Sequence, residues 1–208
     1  FMSSPLRPLH VRTLTAILLL CAAGAQAGDT RTVTQPVTPP PCQTLYASGT
    51  DDATQAIQTA LNTCARGKTV HLAASENTDT FYSGPLSLPS GVSLAIDKGA
   101  TLRAVANPVR FDTGKQTCGT LDNSGKGCKP FIWIKNAVGS GIYGQGTIDG
   151  QGGTVMAGRN QTWWQLAKEA QKSDSKQNAP RLIQIDNSSD ITLYQITLKN
   201  APNFHIVG

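Results

Sequence analysis

Apolar residues along most of this chain fall in short alternating runs that stop at a Gly or Asn and then begin again. Leu86, Leu88, Val92, Leu94 and Ile96 form one set. Ile132 and Ile134 ahead of Asn136, with Ile142 and Ile148, form a second. Ile183 and Ile185 ahead of Asn187, Ile191 with Leu193, and Ile196 with Leu198 ahead of Asn200, form a third. Side chains alternate faces along a strand, so each such pair points to one side. Short strands returning in ordered sets predict an all-β solenoid whose coils stack on one another. An antiparallel sandwich or barrel also uses short strands and turns. It is disfavoured here because tight Asn-Gly or Asp-Gly hairpins are missing between the alternating runs; Asp149-Gly150 is the exception, and no strand follows it closely. Asn136, Asn187 and Asn200 tolerate left-handed backbone and are expected to bond their equivalents along the stack.

A different period precedes the first set. Apolar residues at 53, 56, 57, 60, 61 and 64 make a helical stripe, with Asp51 and Asp52 at its start and Gly67 beyond its end. Either acid can accept from the free N–H groups of the first turn, and Gly67 is a stop signal. One amphipathic helix there would cover the open apolar end of the first coil. Thr69 to Leu72 reads as a strand, and Tyr82 to Leu102 holds several more. Arg103 to Lys129 interrupts the repeat as a polar, Gly-rich loop. Gln151 to Pro180 is a second interruption, with a helix expected over Trp163 to Lys172.

The first 27 residues have the make-up of an export signal. Arg7 and Arg12 give a positive start, Leu14 to Ala23 an apolar middle, and Ala25-Gln26-Ala27 a small-residue cleavage site. Residues 28–41 read as a Pro/Thr-rich linker, and 42–208 as the N-terminal part of a solenoid domain, because the repeat stops in a strand-like run (Phe204 to Val207) with no cap in sequence. Export makes the cysteines informative. Cys21 leaves with the leader, and the four that remain, Cys42, Cys64, Cys118 and Cys128, suggest disulfides. Three connectivities exist; Cys42–Cys64 with Cys118–Cys128 is favoured, since each pair brackets one local segment. The net charge of +5 falls when Arg7 and Arg12 are removed. There is no basic cluster of the kind that nucleic-acid binding needs, and no cysteine–histidine spacing that suits a metal.

Few residues stand out as chemistry. Asp51 and Asp52 are the one adjacent acid pair after the leader and read as helix capping, with no basic or histidine residue close in sequence. Asp149 reads as a turn acid in a Gly-rich run that fails the dinucleotide-binding spacing. Trp163 and Trp164 can stack on sugar rings, but anchoring of the 151–180 loop is the preferred role. Alternation puts Phe204 and Ile206 on one face and Asn203 and His205 on the other; if the first pair is core, the second is exposed and free to bind substrate.

At these residues the chain resembles the polygalacturonases of glycoside hydrolase family 28. The similarity runs in order through Thr50 to Ile57, Ser83 to Leu94, Ile96 to Leu102, Gly144 to Gly152, and Ile196 to His205. The resemblance implies a right-handed parallel β-helix of the pectin-lyase-like kind. It implies inverting hydrolysis of α-1,4 bonds in polygalacturonate or pectin, one carboxylic acid protonating the leaving oxygen while a carboxylate activates water. It implies no cofactor and no required metal, no membrane partner once the leader is cut, secretion to the periplasm or beyond, and a monomer when full length. The family's Gly-His-Gly and Arg-Ile-Lys segments do not occur here, and its catalytic Asn-Thr-Asp and Asp-Asp segments are expected after Phe204-His205, so that neither Asn77-Thr78-Asp79 nor Asp51-Asp52 is taken for them. The catalytic residues are therefore expected beyond Gly208, and the chain alone is expected to be inactive. Asn203 and His205 are the positions carried over as substrate contacts. The rivals are a pectate lyase or other polysaccharide-active β-helix, and a non-catalytic carbohydrate-binding β-helix.

Overall fold

The computed structural model describes Gly28 and residues 30–208. The expected leader, residues 1–27, lies outside the described residues. Contacts divide the chain into a unit ending at Thr34 and a compact unit from Gln35 to Gly208; the fold below is that of the second. No helix of the described residues is long and apolar enough to cross a membrane.

The described strands wind through five successive coils. Coil one holds β1 (Pro41–Tyr46), β2 (Gly49–Asp52) and then helix α1 (Thr54–Thr63). Coil two holds β3 (Lys68–Ala73), β4 (Thr80–Ser83) and β5 (Leu86–Ser87). Coil three holds β6 (Val92–Ile96), β7 (Thr101–Ala104), a detour through α2 (Pro108–Phe111) and β8 (Leu121–Asp122), then β9 (Ile132–Lys135). Coil four holds β10 (Gly141–Tyr143), β11 (Thr147–Asp149), a detour through α3 (Trp163–Lys172) and β12 (Lys176–Gln177), then β13 (Ile183–Asp186). Coil five holds β14 (Thr192–Leu193), β15 (Thr197–Lys199) and β16 (Ile206–Val207). First, second and third strands of the coils pair in parallel into three sheets, here A (β1-β3-β6-β10-β14), B (β2-β4-β7-β11-β15) and C (β5-β9-β13-β16). This is the expected parallel β-helix.

Register explains the sequence pattern. Val70, Leu94, Ile142 and Leu193 stand in one line through sheet A. Phe81, Leu102, Ile148 and Leu198 do so in sheet B, and Leu86, Ile132, Ile183 and Ile206 in sheet C. Each line is a column of apolar side chains pointing into the coil, and burying each one contributes ~1.5–3 kcal/mol. Residues with positive φ turn the corners, among them Asn136, Asn187 and Asn200. Asn187 Nδ2 donates to Asn136 Oδ1 at 2.7 Å, the expected ladder. Asn200 does not continue it: it sits at the B-to-C corner and donates to Asp149 Oδ1 at 3.0 Å. Gly144 turns the A-to-B corner with φ +96, where a Cβ would collide with the carbonyl oxygen of Ile96 in the coil below.

Helix α1 takes the place of a sheet C strand in coil one. Ile57, Ala60 and Leu61 are buried, as is Ala53, whereas Ala56, counted in the apolar stripe, faces solvent. The exposed edge of β5 is completed by a side chain: Gln58 Oε1 accepts from Ser87 N at 2.8 Å and its Nε2 donates to Ser87 O at 2.9 Å. One amide thus substitutes for the peptide of a neighbouring strand, which removes an unpaired edge. A disulfide from Cys42 in β1 to Cys64 at the end of α1 closes the coil.

Residues from Gln35 onward belong to the compact unit, so part of the expected linker packs as a strap. Gln35 Nε2 donates to the Tyr194 hydroxyl, beside coil five. Pro39 and Pro40 carbonyls accept from Thr69 Oγ1 at 3.0 Å and Thr69 N at 2.9 Å, in coil two. Pro41 then opens β1 on the sheet edge, where its missing N–H is tolerated.

Candidate functional site

The two detours leave the coil at the same corner, between sheets B and C, and pack on each other beside the outer face of sheet C. β8 and β12 pair antiparallel, and the buried Asn178 joins the segments. Its backbone N donates to Thr120 O and its carbonyl accepts from Gly119 N, each at 2.9 Å, while its Oδ1 accepts from Gly127 N at 2.7 Å. A Cys118–Cys128 disulfide ties the first detour. Asp112 also organises it, accepting from the backbone N–H groups of Cys118, Gln116 and Gly114 at 2.7–2.9 Å. Those donors, led by Cys118, hold its pKa at about 2. The second detour is set by α3, where Thr162 and Gln165 form a capping box.

Trp163 and Trp164 both anchor this lobe, the preferred reading. Trp163 is 1% exposed and Trp164 is 44% exposed. The Trp164 indole covers Gly152 and Gly153, and its Nε1 donates to Ala201 O at 2.9 Å.

That contact fixes the turn carrying Asn203 and His205. Ala201 and Pro202 are buried, Asn203 is half-buried and His205 is exposed. Backbone bonds pin the segment to coil four: Leu182 N donates to Phe204 O at 2.9 Å and Ile183 N to His205 O at 3.0 Å. The premise that Phe204 and Ile206 are core needs correcting. Phe204 is 60% exposed and Ile206 49% exposed. Ile206 does lie in register with Ile183, but no described coil covers its far side. Asn203 and His205 are accessible because the segment around Phe204 lies at the surface, not because Phe204 and Ile206 are buried.

Sheet C also presents residues that sequence reading passed over. Ser87, Trp133, Gln184 and Val207 are in register across it, and Lys135 is opposite Asp186. Trp133 Nε1 donates to Asp186 Oδ2 at 2.6 Å, Gln184 Nε2 donates to the same oxygen at 2.7 Å, and Arg181 Nη1 donates to Gln184 Oε1 at 2.9 Å. Lys135 Nζ lies 4.7 Å from the Trp133 ring centroid. The signal was the alternation of Ile132 and Ile134 with Trp133 and Lys135: two inward, two outward.

The other carboxylates singled out in sequence have structural partners. Asp52 accepts from Thr54 N at 2.9 Å, as a capping acid does, although the residue at the cap position itself is Ala53. It also has a basic partner that sequence proximity did not offer. Arg110 of α2 donates to Asp52 Oδ2 at 2.5 Å, and this hydrogen bond is the main reason the Asp52 pKa falls to about 2. Asp149 is buried against Arg103 Nε at 3.3 Å and accepts from Gln151 N at 3.0 Å, a turn acid. Asp186 is the single acid in the described sheet C strands. No group of three or more metal-ligating side chains occurs among the described residues.

Comparison with known proteins agrees with this geometry. The profile of Glycosyl hydrolases family 28 matches residues 64–207. An endo-polygalacturonase of Pectobacterium parmentieri is 53% identical over 188 residues, covering 90% of this chain and 46% of that protein. A polygalacturonase of Ralstonia nicotianae is 47% identical over 157 residues, covering 73% and 30%. The solved polygalacturonase of Erwinia carotovora ssp. carotovora superposes with a TM-score of 0.81 at 53% identity, over 86% of this chain and 47% of that one. The chain thus spans between about a third and a half of the length of the relatives it matches.

Proposed function

This chain belongs to glycosyl hydrolases family 28, and from that premise we propose that it serves the hydrolysis of α-1,4 bonds in polygalacturonate or pectin by an exported enzyme. The observation that carries the reading is the ordered match of 64–207 to the family, on a β-helix whose relatives at 53% and 47% identity are named as polygalacturonases. Inverting hydrolysis needs two carboxyl groups roughly 6.5–9.5 Å apart. The described sheet C strands offer Asp186 alone, and it is occupied by Trp133 and Gln184. The catalytic acid and base are therefore assigned beyond Gly208. Asn203 and His205 are the substrate contacts of this segment. The leader over residues 1–27 directs export, and the protein works without a cofactor, as a monomer.

The test joins this chain to the complementary C-terminal segment of the Pectobacterium parmentieri relative. The chimaera is expected to release reducing ends from polygalacturonate with inversion, seen by NMR of the new anomeric proton, and the 208-residue chain to release none. A folded but inert chimaera, or product absorbing in the ultraviolet as a lyase would give, sinks the proposal.

A further inference from the structure

We propose that Asp149, Asn200 and Trp164 are positioning residues, which fix the turn over 201–205 so that Asn203 and His205 meet the substrate. This rests on the reading above and concerns how those two contacts are held. Neither of their side chains has a hydrogen-bond partner among the described residues. Their direction is therefore set by the backbone of the turn. The far end of that backbone is tied to coil four through Phe204 O and His205 O. The near end is where the three positioning residues act.

Asn200 is the last corner before the contacts, with φ +53. Its Nδ2 donates to Asp149 Oδ1 at 3.0 Å, and its carbonyl accepts from Gly152 N at 2.8 Å. The next carbonyl, Ala201 O, accepts from Trp164 Nε1 at 2.9 Å. The approach is close enough to exclude side chains on the facing segment. A Cβ on Gly150 would stand 2.7 Å from both Asn200 O and Pro202 Cδ, and one on Gly152 would stand 2.7 Å from Ala201 O. The Gly-rich run after Asp149 thus lets the turn and the indole close on one stretch of backbone. Asp149 is itself held from the opposite direction. It is in register with Arg103, and Arg103 with Tyr82. Arg103 Nε lies 3.3 Å from Asp149 Oδ2, and Arg103 Nη1 donates to the Tyr82 hydroxyl at 3.3 Å. The outer face of sheet B therefore carries a line of contacts from coil two to the corner that precedes the substrate contacts. Asn136 and Asn187 bond their like. Asn200 bonds a buried carboxylate instead, a stronger and more directional partner.

The test is a double-mutant cycle in the chimaera, with hydrolysis of oligogalacturonate followed well below the melting temperature. Asn200→Gly tolerates the positive φ and deletes the amide alone. Trp164→Phe keeps a ring over Gly152 and Gly153 and deletes the donor alone. Each should raise KM roughly three- to tenfold with kcat unchanged, the weight of one hydrogen bond. In a background of Asn203→Ala with His205→Ala, neither should raise KM further, because the effect runs through those two side chains. A corner that served the fold alone would lower thermal stability and leave KM as it was. An unchanged KM in a folded variant, or an increase that adds in full to that of the background, overturns this inference while the hydrolase reading stands. Should one variant not fold, the other decides. A folded parent chimaera that hydrolyses nothing removes the hydrolase reading, and this inference with it.

Discussion

The stacked coils and the lobe made by the two detours share one continuous apolar core, yet they hold their shape by opposite means. The stack repeats one solution: each inward residue of sheets A, B and C rests on its equivalent in the next coil. The lobe uses single devices, each present once, such as Asn178, the Cys118–Cys128 bond, the Asp112 turn and the Thr162–Gln165 cap. A damaged coil disturbs the neighbours above and below it, and the strain travels. A damaged lobe contact loses its own partners and little else. Regular repetition is therefore the stable but intolerant region, and the irregular lobe is the region in which change is local.

This contrast can be broken, beginning with the largest effect. Gly144→Ala puts a Cβ against Ile96 O at a positive φ and should cost on the order of 4 kcal/mol. The loss should appear in chemical denaturation as one cooperative shift of the whole β-helix; a shift confined to coil four would refute the shared-stack picture. Leu102→Ala, in the sheet B column, should cost ~3 kcal/mol through cavity formation, again with slowed protection lost in coils two to four by hydrogen exchange. Cys118→Ser with Cys128→Ser removes a closed loop of sequence separation 10 and should cost roughly 2–3 kcal/mol. Here exchange should rise in residues 112–130 while sheet A is unchanged. The smallest effect is electrostatic. Asp52 is held at about 2, below its ordinary 3.8, chiefly by Arg110. A depressed carboxylate contributes stability that is present above pH 3.8 and is lost as the pH falls toward 2. The pair is about half exposed, so screening limits the contribution to under ~1 kcal/mol. Asp52→Asn should lower neutral stability by up to that amount and flatten that part of the acid unfolding curve, so that variant and parent converge near pH 2.

Much of the stack was legible because alternation encodes it directly. The pairs Ile132/Ile134 and Ile183/Ile185 face inward in register, and the Trp163–Lys172 helix has the bounds its pattern predicts. Strands β1 and β2 were missed. Residues 41–52 carry a single alternating apolar pair, Leu45 and Ala47, and they are strands because β3 and β4 offer them partners. The Asp52–Arg110 pair was equally hidden, since only the folded coil brings together residues 58 apart. For the site, Asn203 and His205 were legible as a polar pair near the final strand, but the exposure of Phe204 was not, because burial in a solenoid depends on the next coil rather than on the strand itself. Trp133 was legible in direction and overlooked in meaning; its neighbours Gln184 and Asp186 come from the following coil.

The strap gives the stack a property its strands lack. Residues 35–40 cross sheet A at right angles to the winding, from Tyr194 to Thr69. Extended, they span roughly 17 Å, against roughly 14 Å for the three steps between coils five and two. Solenoids lengthen and shorten readily by gaining or losing whole turns. In this one the crossing thread works as a ruler: a turn added between Thr69 and Tyr194 would outreach it, and a turn removed would leave it slack. The number of turns in this part of the molecule is therefore measured by a segment that belongs to none of them.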